Sequence, residues 1–119
     1  LVEQCLIRNK RKTLNILNEN SSLQENNITI VKTFLFKLKR LRKLKKDLEI
    51  KKNVDSVITS YKPPIFWKDK DFIKKQLSIW SASEIQKFIS ELNNLEILIK
   101  KNSQISNYIV NNFILEKIK

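Results

Sequence analysis

The sequence predicts an all-α fold: a compact bundle of five to six helices with a Pro-Pro corner near residues 62–67. Three observations carry this expectation. Apolar residues recur at three- and four-residue intervals along most of the chain. Glycine is absent, and the only two prolines stand together as Pro63 and Pro64, so the residues that break helices are concentrated at one place. No segment alternates convincingly between apolar and polar. Ile28-Thr29-Ile30-Val31 is the one β-branched cluster, and it runs straight into a helical pattern.

Val2 to about Glu19 reads as a first helix, with Val2, Cys5, Leu6, Thr13, Leu14, Ile16 and Leu17 as a broken apolar stripe. The polar run Asn18-Glu19-Asn20-Ser21-Ser22 ends it. The second helix is the longest, from about Leu23 or Asn27 to Lys51, with Val31, Phe34, Leu35, Leu38, Leu41, Leu44 and Leu48 at helical spacing. Asn53 is placed to cap a short third helix, since its side-chain oxygen can accept from a free amide of the first turn. Val54, Val57, Ile58 and Tyr61 form the apolar face of that helix.

Beyond the corner, Asp69 is a candidate cap for a fourth helix, about Lys70 to Ile79, whose inner face is Phe72, Ile73, Leu77 and Trp80. Ser81 followed three residues later by Glu84 is a capping box and starts a fifth helix that runs to about Lys101. Its stripe of Ile85, Phe88, Ile89, Leu92, Leu95 and Ile99 is the clearest in the chain. Glu96 and Lys100 stand in the favourable i, i+4 order on its exposed side. Asn102-Ser103 makes a turn. A sixth helix, about Gln104 to Lys117, carries Ile105, Tyr108, Ile109, Phe113, Leu115 and Ile118 over more than one face. Such a helix packs between neighbours or meets another subunit.

The 119 residues suit a single domain, 1–119, divided as three helices in 1–61, a corner in 62–68 and three helices in 69–119. A chain of this size buries roughly two-thirds of its unfolded surface. The first residue is Leu1 and methionine is absent, so we expect a piece of a longer protein.

Several absences narrow the chemistry. Without glycine there is no phosphate-cradling glycine loop. Without histidine the commonest general base and metal ligand are missing. The single cysteine, Cys5, sits at helical spacing with Val2 and Leu6 and reads as a small core residue. It forms no internal disulfide or zinc cluster and fits a reducing, cytoplasmic setting. The acidic pair Asp69 and Asp71 is placed where a helix dipole favours negative charge, which accounts for it without catalysis. We therefore expect no enzyme activity, catalytic residue, metal, cofactor or small-molecule substrate in this piece. No apolar run approaches the ~20 residues of a membrane span, so no membrane partner is expected.

The net charge of +12 points to an anionic partner. Part of it follows from composition, because lysine outnumbers arginine 20 to 4 and Lys, Ile and Asn, all with A/T-rich codons, dominate. The charge is densest over residues 37–46, where seven of ten residues are cationic and the other three are leucines at every third position. Lys39, Arg40, Arg42, Lys43 and Lys46 form a candidate DNA-facing patch. A solvated face whose long stems shield the leucines is the favoured reading, because no stacking aromatic interleaves with the charges.

The corner itself, Lys62-Pro63-Pro64-Ile65-Phe66-Trp67-Lys68, places bulky apolar residues directly after two prolines, and a buried connector is expected, with Trp67 and Trp80 in the core. This string, followed by Gln76-Leu77-Ser78-Ile79-Trp80-Ser81 and then Leu95-Glu96 with Lys100, resembles the C-terminal (collar) domain of the bacterial DNA polymerase III delta subunit. That family shows a basic residue, Pro-Pro, a hydrophobic residue, two aromatics and a basic residue. A helix ending in Trp-Ser follows, then a helix with an acid and a lysine near its end. The matching positions here are Pro63, Pro64, Phe66, Trp67, Trp80, Ser81, Glu96 and Lys100, and the likeness spans about Val31 to Leu115. A glycine often follows the family's lysine; Lys101-Asn102 stands here instead.

The resemblance implies a helical collar element of the clamp loader, the assembly within the DNA polymerase III holoenzyme that opens the sliding clamp and places it on primed DNA. Collar domains of delta, delta-prime and gamma/tau pack side by side. Clamp opening belongs to the family's N-terminal domain, and delta is not an ATP-hydrolysing subunit. The function expected is thus non-catalytic oligomerisation with delta-prime and gamma/tau, with the sliding clamp and DNA reached through the whole complex. Ile97, Leu98, Val110 and Ile114, apolar residues surplus to the stripes, are the candidate subunit interface. The alternative is a basic helical nucleic-acid-binding domain acting through the 37–46 helix.

Overall fold

The fold is described from a computed structural model, over residues 2–20, 27–62 and 64–118. Among the described residues every regular element is helical: α1 Val2–Leu6, α2 Lys10–Asn20, α3 Asn27–Lys51, α4 Val54–Ser60, α5 Lys70–Ile79, α6 Ala82–Lys101 and α7 Ser106–Lys117. Short 3-10 turns at Trp67–Asp69 and Ser103–Ile105 lead into α5 and α7. The principal axes measure 46 × 26 × 26 Å, with a radius of gyration of 14.9 Å. A spherical domain of this length has a radius near 13.5 Å, so the molecule is moderately elongated, as the 25-residue α3 requires.

The two longest helices form the central pair. Val31, Phe34, Leu35, Leu38, Leu41 and Leu44 of α3 are buried, as are Ile85, Phe88, Ile89, Leu92, Leu95 and Ile99 of α6. The two apolar stripes read from the sequence thus face the same core. Around the pair, α4 contributes Val57 and Ile58, α5 contributes Ile73 and Leu77, and α7 contributes Val110 and Ile114. At the centre Phe88 meets three aromatic rings: Phe34 at 5.8 Å, Trp80 at 5.4 Å and Phe113 at 5.7 Å between centroids. The Trp80 and Phe113 contacts are edge-on, the arrangement the ring quadrupoles favour.

The single first helix expected over Val2–Glu19 is two helices. Arg8 takes a left-handed φ of 54° and its amide donates to the Cys5 carbonyl, ending α1. Asn9 then caps α2, its Oδ1 accepting from the Lys12 amide at 3.1 Å, while the Thr13 hydroxyl donates to the Asn9 carbonyl at 2.8 Å. Thr13 is fully buried. Asparagine prefers a cap to a helix interior, and that preference outweighs the apolar spacing across the break.

Other boundaries follow from their caps. α3 closes on Lys52 at a φ of 56°, a position usually given to glycine, and the Lys52 amide reaches the Leu48 carbonyl at 2.8 Å. Asn53 caps α4 as expected, accepting from the Ser56 amide at 3.1 Å. The capping box of α6 is complete: Ser81 Oγ accepts from the Glu84 amide at 3.1 Å, and Glu84 Oε1 accepts from the Ser81 amide at 3.0 Å. Asp69 does not cap α5 with its side chain; the 3-10 turn, closed by the Asp69 amide on the Phe66 carbonyl, supplies the start instead. Asn102 ends α6 without left-handed backbone: at a φ of −129°, its amide side chain donates to the Leu98 carbonyl at 2.9 Å.

Candidate functional site

Chemistry-bearing residues gather on four surfaces: the corner, the recess beside Trp80, the basic side of α3, and the end of α6 with the start of α7.

At the corner, α4 stops at Ser60 and Tyr61 turns to an extended backbone, with a φ of −65° and ψ of 137°. Pro63 lies outside the described residues, and Pro64 is exposed. Ile65 points inward and joins the core. The 3-10 turn then swings the next two side chains outward. Trp67 is 68% exposed and Phe66 is also exposed, which corrects the expectation that Trp67 lies in the core. The physical reason is placement: Ile65, ahead of the turn, supplies the inward anchor, and no residue of the 3-10 turn Trp67–Asp69 is buried. Phe66 and Trp67 lie 5.9 Å apart, and Lys68 Nζ sits 5.5 Å from the Trp67 ring. The corner is therefore an aromatic knuckle on the surface with a buried isoleucine beneath it.

Trp80, by contrast, is 5% exposed, as expected. Its indole Nε1 donates to the Leu6 carbonyl at 2.7 Å, satisfying a terminal acceptor of α1. The Arg8 guanidinium lies 4.3 Å from its ring and reaches Glu84 at 3.5 Å. Close by, Lys117 pairs with Glu91 and lies 5.0 Å from Phe88 and 5.4 Å from Phe113. No local pattern announces this cluster, because its members come from three segments far apart in sequence, around residues 6–8, 80–91 and 113–117. It lines a mixed-charge recess of about 260 Å³ with Lys87 and Glu116. Ser81 belongs to the adjacent capping box, and the Arg8–Glu84 contact ties that box to the α1–α2 turn.

On the basic side of α3, Lys39, Arg42, Lys43 and Lys46 are exposed and Arg40 is partly buried. The first four line an open recess of about 530 Å³ together with Glu49 and, from the opposite wall, Ala82 and Gln86 of α6. Arg42 Nη1 donates to Gln86 Oε1 at 3.0 Å across it. Arg40 faces away and lies 5.8 Å from the Phe36 ring; its Nε is buried without a hydrogen-bond partner. Lys43 Nζ lies 5.5 Å from the ring of Tyr61. The fold thus brings the Tyr61 ring to the basic face, although the 37–46 segment holds no aromatic.

At the end of α6, Glu96 and Lys100 pair at 3.2 Å as their spacing predicts. Ile97 is 55% and Leu98 47% exposed. Val110 and Ile114, named with them as interface candidates, are 2% and 1% exposed and belong to this chain's own core. The apolar residues of α7 surround the helix, so its sequence does not say which side turns inward. Ile105 and Tyr108, which sequence reasoning did not select, are the exposed apolar residues at that end.

Cys5 is fully buried, and desolvation pushes its thiol up to about 12. Among the described residues no group of three or more His, Cys, Asp and Glu could hold a metal ion. No described helix is long and apolar enough to cross a membrane. Compared with known proteins, the chain matches no family model, no curated protein and no solved structure.

Proposed function

We propose that this chain is a non-catalytic assembly module: the collar domain of a clamp-loader delta subunit, which packs against delta-prime and gamma/tau so that the complex can load the sliding clamp on DNA. One observation carries the reading. The chain completes its own core and still holds large apolar side chains in solvent, Phe66 and Trp67 at the corner and Ile97, Leu98, Ile105 and Tyr108 around the α6–α7 turn. Grouped exposed apolar residues mark binding surfaces, and tryptophan and tyrosine are the usual anchors of protein interfaces. The likeness of Pro64-Ile65-Phe66-Trp67, Trp80-Ser81 and Glu96/Lys100 to the delta collar supports the choice of partners. A bacterial cytoplasmic setting follows from that role.

The test is reconstitution. The chain is mixed with delta-prime and gamma/tau subunits, and complex formation is followed by light scattering on a sizing column. Replacing Ile97 and Leu98 by Asp, or Trp67 by Ala, is expected to weaken assembly at least about tenfold, the effect of losing one interface anchor. Undiminished assembly by all of these variants, with unchanged helical circular dichroism, would sink the reading.

A further inference from the structure

We propose that the recess between α3 and the first turns of α6 binds the phosphate backbone of a single nucleic-acid strand. The inference is independent of the assembly reading, since it uses a different surface and different residues.

Charge comes first. Lys39, Arg42, Lys43 and Lys46 line the recess against one carboxylate, Glu49. Four cations elsewhere on the molecule pair with carboxylates: Lys74 with Asp55, Lys100 with Glu96, Lys117 with Glu91 and Arg8 with Glu84. Among the described residues no carboxylate lies within ion-pair distance of the four recess cations. Their charges project together into one open space, which raises the local concentration of a polyanion.

Shape and spacing then select the ligand. A duplex takes up a protruding helix in its major groove. Here the cations line a concave channel of about 530 Å³, the form that suits a single strand. From Lys39 to Lys46 the helix rises about 10 Å, which at about 3.4 Å per phosphate along a stacked strand engages two to three phosphates. The Tyr61 ring beside Lys43 provides a face on which a base stacks along the flank. Across the recess, the Gln86 side chain already accepts from Arg42 and holds its guanidinium in place.

The experiment is fluorescence anisotropy of a labelled thymidine oligonucleotide with the intact chain over a range of salt. Binding is expected to weaken with salt at a log–log slope between about −1.4 and −2.1, the value for two to three single-strand phosphates. Arg42→Glu with Lys43→Glu should lower affinity by about tenfold or more and flatten the slope. Lys10→Glu with Lys12→Glu changes the net charge equally on exposed positions of α2 and should lower affinity far less. Equal losses in both double variants would show that net charge alone acts, and would overturn the site. So would displacement of the oligonucleotide by poly-glutamate or anionic vesicles at concentrations as low as those of unlabelled strand, or tighter binding of duplex than of strand. Circular dichroism of each variant separates misfolding from lost contacts. A failure here leaves the assembly test untouched.

Discussion

Trp80 is held on three sides: its indole N–H on the Leu6 carbonyl, its face under Arg8, its edge on Phe88. Removing a buried aromatic side chain leaves both a cavity and lost transfer energy. Trp80→Ala is therefore expected to cost roughly 3–5 kcal/mol in chemical denaturation. Trp67→Ala should stay within about 0.5 kcal/mol, as exposed substitutions do. Iodide should quench the fluorescence of Trp67 and spare that of Trp80; equal quenching would contradict the arrangement. Cys5 gives a pH prediction. Its thiol rises from an ordinary 9.0 in the unfolded chain to about 12 in the fold, because burial disfavours the thiolate. Below the lower value both states hold the proton and there is no effect. As pH rises from 9.0 toward 12, the unfolded state sheds its proton first, and stability is lost at up to about 1.4 kcal/mol per pH unit. Cys5→Ala should unfold with a slope shallower by that one proton. The residue types told much of this in advance: a lone cysteine at helical spacing is core. They could not separate the two tryptophans, since Trp67 and Trp80 differ only in the turn that aims them.

The central helix α6 owes its start to the reciprocal bonds between Ser81 and Glu84. Those bonds also hold the Glu84 carboxyl below the usual carboxylate range, through the Ser81 amide first and the Ser81 hydroxyl second. Ser81→Ala leaves an amide of the first turn without its acceptor and is expected to cost about 1 kcal/mol, within a range of about 0.5–2. Urea denaturation reads this as a lower midpoint at unchanged slope. A midpoint equal to that of the parent would mean that water caps the helix as well as serine does. Helices with unbroken stripes, α3 and α6, were legible because periodicity and caps agree. The α1–α2 break was missed because the apolar positions on either side, Leu6 and Thr13 to Leu14, keep helical spacing through it; only Asn9 announces it. The 3-10 entry to α5 was missed because Asp69 has the right identity for a cap and the wrong geometry.

At the scale of the whole molecule, the all-α class was readable since nothing in a glycine-free chain with helical periodicity competes with it. The surfaces were half readable. The basic stripe of α3 is a local pattern, but the α6 wall that turns it into a channel is some forty residues away in sequence. Val110 and Ile114 were misplaced because which side of α7 turns inward is decided by the helices it packs on, a matter no local pattern records.

The Trp80–Leu6 hydrogen bond joins residues 74 apart in sequence. Closing a free loop of that length costs about 3.8 kcal/mol of chain entropy by the logarithmic loop law. Once α3 and α6 have paired, however, Trp80 is already in place near α3, and α1 has only to return from Leu6 to the neighbourhood of Val31. The same law puts that shorter closure at about 2.9 kcal/mol. The long central pair therefore lowers the entropic barrier for the N-terminal segment by about 1 kcal/mol. A five-residue helix far too short to persist alone can dock because two others have already shortened its search.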